Sequence, residues 1–238
     1  MNSFEHMNTK TIISFLLLLA TVGVKADVVP TIAPTATYLT EDGEEENASK
    51  AGSAPMKAIF RANPENVGSY SATYEWRFYL NSMESEPYLT RYEQDTEYTF
   101  NQAGGHYIVC YATFINGTDT VAYTKDYWEN EGQPLTCTVS QSRLEMPNAF
   151  SPNGDGHNDI YGAKDNYQSI VEFHAVILNR WGQKLYEWTD PAGGWDGTYK
   201  GHDVKQGVYF VVVKAKGADG IRYNIRKDVN LLRGYIEH

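Results

Sequence analysis

The run Asn153-Gly154-Asp155-Gly156-His157-Asn158-Asp159 sets oxygen side chains among glycines, a pattern able to hold a cation. Ligands at Asn153, Asp155 and Asp159 match the first half of a calcium loop. Calcium takes ~6–8 oxygens, however, and the bidentate Glu that closes an EF-hand is missing. The other reading is a pair of stacked turns, in which Asn-Gly and Asp-Gly supply positive φ and side-chain caps. The incomplete ligand set favours turns and leaves calcium as the alternative. No other cofactor is implied.

Catalytic constellations are scarce. His106, His157, His174 and His202 are widely separated and share no ligand spacing. The sequence has no Gly-x-Ser-x-Gly elbow, His-Glu-x-x-His zinc site or phosphate-cradling glycine loop. Paired carboxylates could meet in space, as in a glycosidase, but they need a cleft that small sandwiches seldom supply. The expectation is a non-catalytic protein, with a small carbohydrate-active enzyme as a remote alternative. Cys110 and Cys137 are the two cysteines. Either they pair, closing a loop worth ~3 kcal/mol in an oxidising compartment, or they are buried thiols, since Cys110 alternates with apolar neighbours. Among 18 tyrosines, Tyr88, Tyr92 and Tyr98 are candidates for stacking on sugar rings or gripping protein. High strand propensity is the simpler explanation for them.

These side chains must be carried by an exported chain. Residues 1–26 read as a signal peptide: Lys10 makes the n-region, 12–24 the apolar h-region, and Val24-Lys25-Ala26 the cleavage site. Met1 and Met7 are alternative starts. The apolar run falls short of the ~20 residues of a transmembrane helix, so the protein is not expected to span a membrane. No cysteine lies near the cleavage point, and a lipoprotein anchor needs one as the first mature residue, so that anchor is excluded. The net charge of −10 argues against nucleic acid as a partner, because displacing phosphate counterions takes a basic face.

Past the leader, short alternating segments separated by Gly, Asn, Asp and Pro predict an all-β chain: two immunoglobulin-like β-sandwich domains in tandem. Residues 27–53 are Thr-, Pro-, Ala- and Glu-rich and read as an extended lead-in with at most one edge strand at 35–40. The first sandwich is expected over 54–146, with Tyr74, Trp76, Phe78 and Leu80 on one strand face. Asn116-Gly117 marks a hairpin turn. The second is expected over 147–238. Charge divides at the same place: 17 acidic and 6 basic side chains over 27–140, but 12 of each over 141–238. No helix of useful length is expected.

In the second block Pro147-Asn148-Ala149-Phe150-Ser151-Pro152-Asn153-Gly154-Asp155-Gly156-His157-Asn158-Asp159 resembles the opening of the gliding-motility-associated C-terminal domain. That family includes the type B sorting domain of type IX secretion. Asn179-Arg180-Trp181-Gly182 is similar to its hairpin, Trp195-Asp196-Gly197 to its aromatic loop, Gly207-Val208-Tyr209-Phe210 to its long strand, and Leu231-Leu232-Arg233 to its end. The resemblance covers about 147–233 and implies an immunoglobulin-like sandwich that addresses cargo to the outer surface or medium through the secretion machinery. The first block resembles a PKD-type domain at Gly105-His106-Tyr107-Ile108-Val109 and Asn116-Gly117-Thr118-Asp119-Thr120, with Trp76 as core tryptophan. Together these imply an adhesion or ligand-binding protein at the cell surface or outside the cell, with the periplasm as fallback and a glycan or surface protein as ligand. A structural spacer without ligand is the alternative.

Overall fold

A computed structural model describes residues 28–40 and 42–233. The expected leader, both candidate start methionines and the trailing 234–238 lie outside the described residues. Among the described residues the chain is all-β apart from one short helix, and its strands build two immunoglobulin-like sandwiches. Among the described residues no helix is long and apolar enough to cross a membrane.

In the N-terminal unit two sheets face each other. One runs in the order Gly43–Glu46, Thr35–Thr40, Met56–Arg61, Asp95–Phe100. The other runs Ser49–Gly52, Leu135–Val139, Gly104–Asn116, Ser71–Leu80, Leu89–Arg91, and Asp119–Tyr123 folds back on Gly104–Asn116. Strict alternation drives this: Met56, Ala58 and Phe60 point inward while Lys57, Ile59 and Arg61 do not. Phe60 meets Phe78 edge-on at 5.3 Å and Trp76 at 5.8 Å, joining the two sheets. Burying such rings stabilises the fold by ~1.5–3 kcal/mol each. Tyr38 reaches across the core to donate its hydroxyl to the Thr136 carbonyl at 2.9 Å.

The lead-in expected over 27–53 is instead structural. Thr35–Thr40 is an inner strand, paired on both sides, with Ala36 and Tyr38 fully enclosed. Gly43–Glu46 and Ser49–Gly52 then carry the chain from one sheet to the other. Its composition looked unstructured because its few core residues are small or polar-tipped and take their burial from strands far along the chain. The helix Lys125–Asn130, also unexpected, lays Trp128 on the outer face of the second sheet, where its indole donates to the Cys110 carbonyl at 3.0 Å.

The C-terminal unit has one main sheet, ordered Ala149–Phe150, Arg222–Leu231, Gly207–Gly217, Ile170–Leu178, Lys184–Trp188. Its second layer is two short ribbons, Tyr161–Gly162 with Gly194–Trp195 and Thr198–Tyr199 with His202–Asp203. A separate hydrophobic cluster from Leu144 to Leu231 fills the space between.

The units meet at a fastened joint. Ser169, 1% exposed and at φ +49°, accepts the Ala54 amide at 3.1 Å and shares a hydroxyl bond with Ser140 at 2.8 Å. Ser142 donates its amide and hydroxyl to the Asp219 carboxylate, both at 2.8 Å. Ala103 donates to the Ala218 carbonyl at 3.0 Å, and Ala218 itself packs against the N-terminal core.

Candidate functional site

The motif residues of the second block converge on one end of the C-terminal unit. Phe150 stacks obliquely on Trp195 at 5.3 Å and on Tyr161 at 5.6 Å, and Trp195 meets Tyr209 at 5.2 Å. Each ring's polar tip is matched. The Trp195 indole donates to the Thr198 carbonyl at 2.7 Å, Tyr209 to Lys205 at 2.6 Å, and Tyr161 to Pro147 at 3.0 Å. Asn148 and Phe150 accept amides of Asn230 and Leu232, which stitches the opening segment to the last strand. That strand continues opposite Gly207, whose φ of +148° favours glycine.

Arg233 closes this end. Its guanidinium donates to the carbonyls of Val204 at 3.1 Å, Pro152 at 3.1 Å and Gly197 at 2.7 Å, and pairs with Asp203 at 3.2 Å. One side chain thus ties the Pro152 loop to both ends of the hairpin from Gly197 to Val204. Gly197 sits at φ +80°, and a Cβ there would lie 2.9 Å from Pro152 and 3.2 Å from the guanidinium. Asp196 caps the same turn through the Thr198 amide at 2.9 Å.

The acidic loop between Pro152 and Ile160 is a set of nested turns. Asp159 accepts the amides of Asn153, Gly154 and Gly156 at 2.9, 2.7 and 2.9 Å. Those backbone donors, that of Gly154 foremost, hold its carboxyl below the usual aspartate range. Asp155 caps His157, Asn153 caps Asp155, and Gly154, Gly156 and Asn158 take the positive φ that the turns require. Among the described residues no group of three His, Cys, Asp or Glu side chains is arranged to hold a metal. Asn153, Asp155 and Asp159 each cap one of these turns.

The hairpin Asn179-Arg180-Trp181-Gly182 is presented outward. Asn179 Oδ1 accepts the amides of Trp181 at 2.9 Å and Gln183 at 3.0 Å, and Gly182 turns the chain at φ +77°. Trp181 is 84% exposed, although its motif companions Phe150, Trp195 and Tyr209 are buried. A depression of about 290 Å³ beside it is lined by Arg180, Leu185, Tyr199, Lys205 and Val208.

On the N-terminal unit, a cleft of about 450 Å³ lies between the short helix and residues 83–87. Tyr79, Tyr111 and Arg77 form its floor, Trp128, Lys125 and Glu129 one wall, and Met83, Glu84 and Glu86 the other. Arg77 lies 4.3 Å over the Tyr111 ring and 2.6 Å from Glu75. The spacing of these residues did not single them out; the helix that builds the wall is too short to show periodicity.

The tyrosines singled out by sequence divide. Tyr88 packs on Tyr98 at 6.0 Å and donates to His106 Nδ1 at 2.9 Å while one side of its ring stays in solvent, and Tyr92 is exposed outright. His106 Nε2 donates to the Gln102 carbonyl at 2.8 Å. Burial lowers its pKa, which keeps the imidazole neutral. The disulfide alternative is corrected: Cys110 and Cys137 are free buried thiols. Cys137 lies opposite His106, four residues along the strand from Cys110. That separation is ~13 Å of strand, beyond the ~7 Å that a disulfide can bridge. Burial pushes both thiols up to about 12.

Fold and site together define an all-β tandem whose last unit is locked by a motif-bearing loop cluster. The CHU_C type IX secretion signal domain matches residues 144–226, from the first core residue of the C-terminal unit into its last strand. This places the protein among exported, cell-surface or extracellular proteins. No curated protein matches the chain. Among solved structures, dimeric latent PorU from Porphyromonas gingivalis is similar at 12% identity and TM-score 0.26, covering 87% of this chain and 20% of that one. The chain therefore spans about a fifth of that relative. DIP-gamma IG1+IG2 is similar at 10% identity and TM-score 0.26, covering 88% of this chain and 100% of the other.

Proposed function

We propose that this exported cell-envelope protein is a non-catalytic adhesion or ligand-binding module delivered by its C-terminal unit, which the secretion machinery reads. The match over 144–226 carries the reading. The cleft of Tyr79, Tyr111, Arg77 and Trp128 supports a binding role, because it joins apolar ring surface to charged groups of both signs. A surface glycan or protein is the ligand class that such a cleft suits. A spacer role is favoured by a different observation, the joint through Ser169 and Asp219, which holds the two units as one unit of fixed length.

Fractionation of cells making the chain with and without residues 147–238 tests the delivery role. Loss of surface protein on truncation is expected, and unchanged delivery would refute it. A glycan array probed with the full chain and with Tyr111→Ala tests the cleft. Signals lost in the variant support binding there, and silence from both leaves the spacer as the better reading.

A further inference from the structure

The motif of the C-terminal unit contains two kinds of residue. Phe150, Trp195, Tyr209, Gly197 and Arg233 are consumed by packing or by closing loops. Trp181 is not, for its ring stands 84% exposed at the tip of a hairpin. One exposed ring is ordinary by itself, but tryptophan beside arginine is the composition of a protein contact centre. The tip is also held ready. Asn179 and Gln183 bond to each other through backbone and side chain, and Gly182 donates to the Asn179 carbonyl at 2.9 Å. Docking such a turn costs little ordering entropy.

Charge narrows the partner. Arg180 and Lys205 rim the depression beside Trp181, and Lys200 follows at 5.4 Å over the Tyr199 ring. Among the described residues none of these three cations has a carboxylate within ion-pair reach; the nearby Asp203 is taken by Arg233, and Glu187 by His174 and Lys184. A basic, aromatic tip on a chain of net charge −10 is a local reversal of sign. Resting on the delivery reading above, we propose that Arg180 and Trp181, flanked by Lys200 and Lys205, are the grip of the secretion machinery. The occupant is a protein face with an apolar slot for the indole and carboxylates around it. Tryptophan and arginine are the side chains that dominate such contacts.

The test uses the full chain in its own host, with surface and medium fractions measured against the periplasm. Trp181→Ala and the double reversal Arg180→Glu/Lys205→Glu are expected to cut delivery about tenfold or more. Trp181→Phe should retain most of it, and melting temperatures should match the parent. Normal delivery of Trp181→Ala and of the reversal, while the chain lacking 147–238 stays inside, overturns this inference and spares the delivery reading. Normal delivery of the truncated chain overturns both. Should Trp181→Ala also melt early, the charge reversal decides, because it removes no packing: intact delivery then refutes the grip.

Discussion

The two units solve the same problem, closing a sandwich, by different means. The N-terminal unit lays a four-stranded sheet on a six-stranded one, and its core comes from plain alternation along regular strands. The C-terminal unit has a single five-stranded sheet, and loops and two-residue ribbons supply the opposite layer. Regular strands accept many apolar side chains at each inward position. Loops do not, because each must be held by particular polar groups and particular φ values. The half with the less regular second layer is therefore the half with the more recognisable sequence.

Substitutions in the loop layer should break this contrast most sharply. Trp195→Ala should cost about 3–5 kcal/mol in denaturant unfolding, since it empties the centre of the ring cluster. Arg233→Gln follows, at about 2–3 kcal/mol, because one charged donor serves three carbonyls. That loss should change little with salt, as the acceptors are mostly uncharged. Gly197→Ala should cost about 1–3 kcal/mol from its left-handed φ and the approach of Pro152. If all three prove neutral, the loop layer is not what closes the C-terminal unit.

Acid should separate the units. Above pH 6.5 His106 is neutral in both folded and unfolded chains and contributes nothing. Below it, the unfolded chain takes a proton that the buried ring refuses, so the N-terminal unit loses stability as pH falls from 6.5. Asp159 acts lower: its folded carboxyl is depressed from 3.8, so its stabilisation is present above that value and lost as pH falls through the folded pKa. Melting curves across this range should show the first slope vanish in His106→Gln and the second shrink in Asp159→Asn, with the rest of it owed to Glu145, Glu187 and Asp219, which are depressed as well.

The smallest effects concern covalent and metal ties. Reductant should leave the melting temperature unchanged, and thiol titration in denaturant should find two thiols per chain. Millimolar calcium should not shift melting if residues 153–159 are turns alone. A rise in melting temperature that Asp155→Asn abolishes would make that loop a cation site.

Much of the strand pattern was open to reading in the sequence. Asn179-Arg180-Trp181-Gly182 marked its hairpin, because asparagine caps the turn with its side chain and glycine takes its positive φ. Residues 27–53 misled, because Thr, Pro and Glu outnumber large apolar groups, yet Ala36 and Tyr38 are core. Their burial depends on the facing sheet far along the chain, where the Tyr38 hydroxyl reaches the Thr136 carbonyl. The N-terminal cleft was hidden for a related reason: its floor lies on two strands and its walls on a helix and a loop, which no local spacing links.

The order of amino acids by itself determined the strand periods, the turns at Asn-Gly and Asp-Gly, and the family motif, because these depend on backbone preference within a few residues. Only the tertiary structure decided that Arg233 ties Pro152 to Gly197, that Ser169 fastens the two units, and that Cys110 and Cys137 stand apart. Those outcomes depend on strand register and sheet closure, which set distances between residues whose separation along the chain carries no such information.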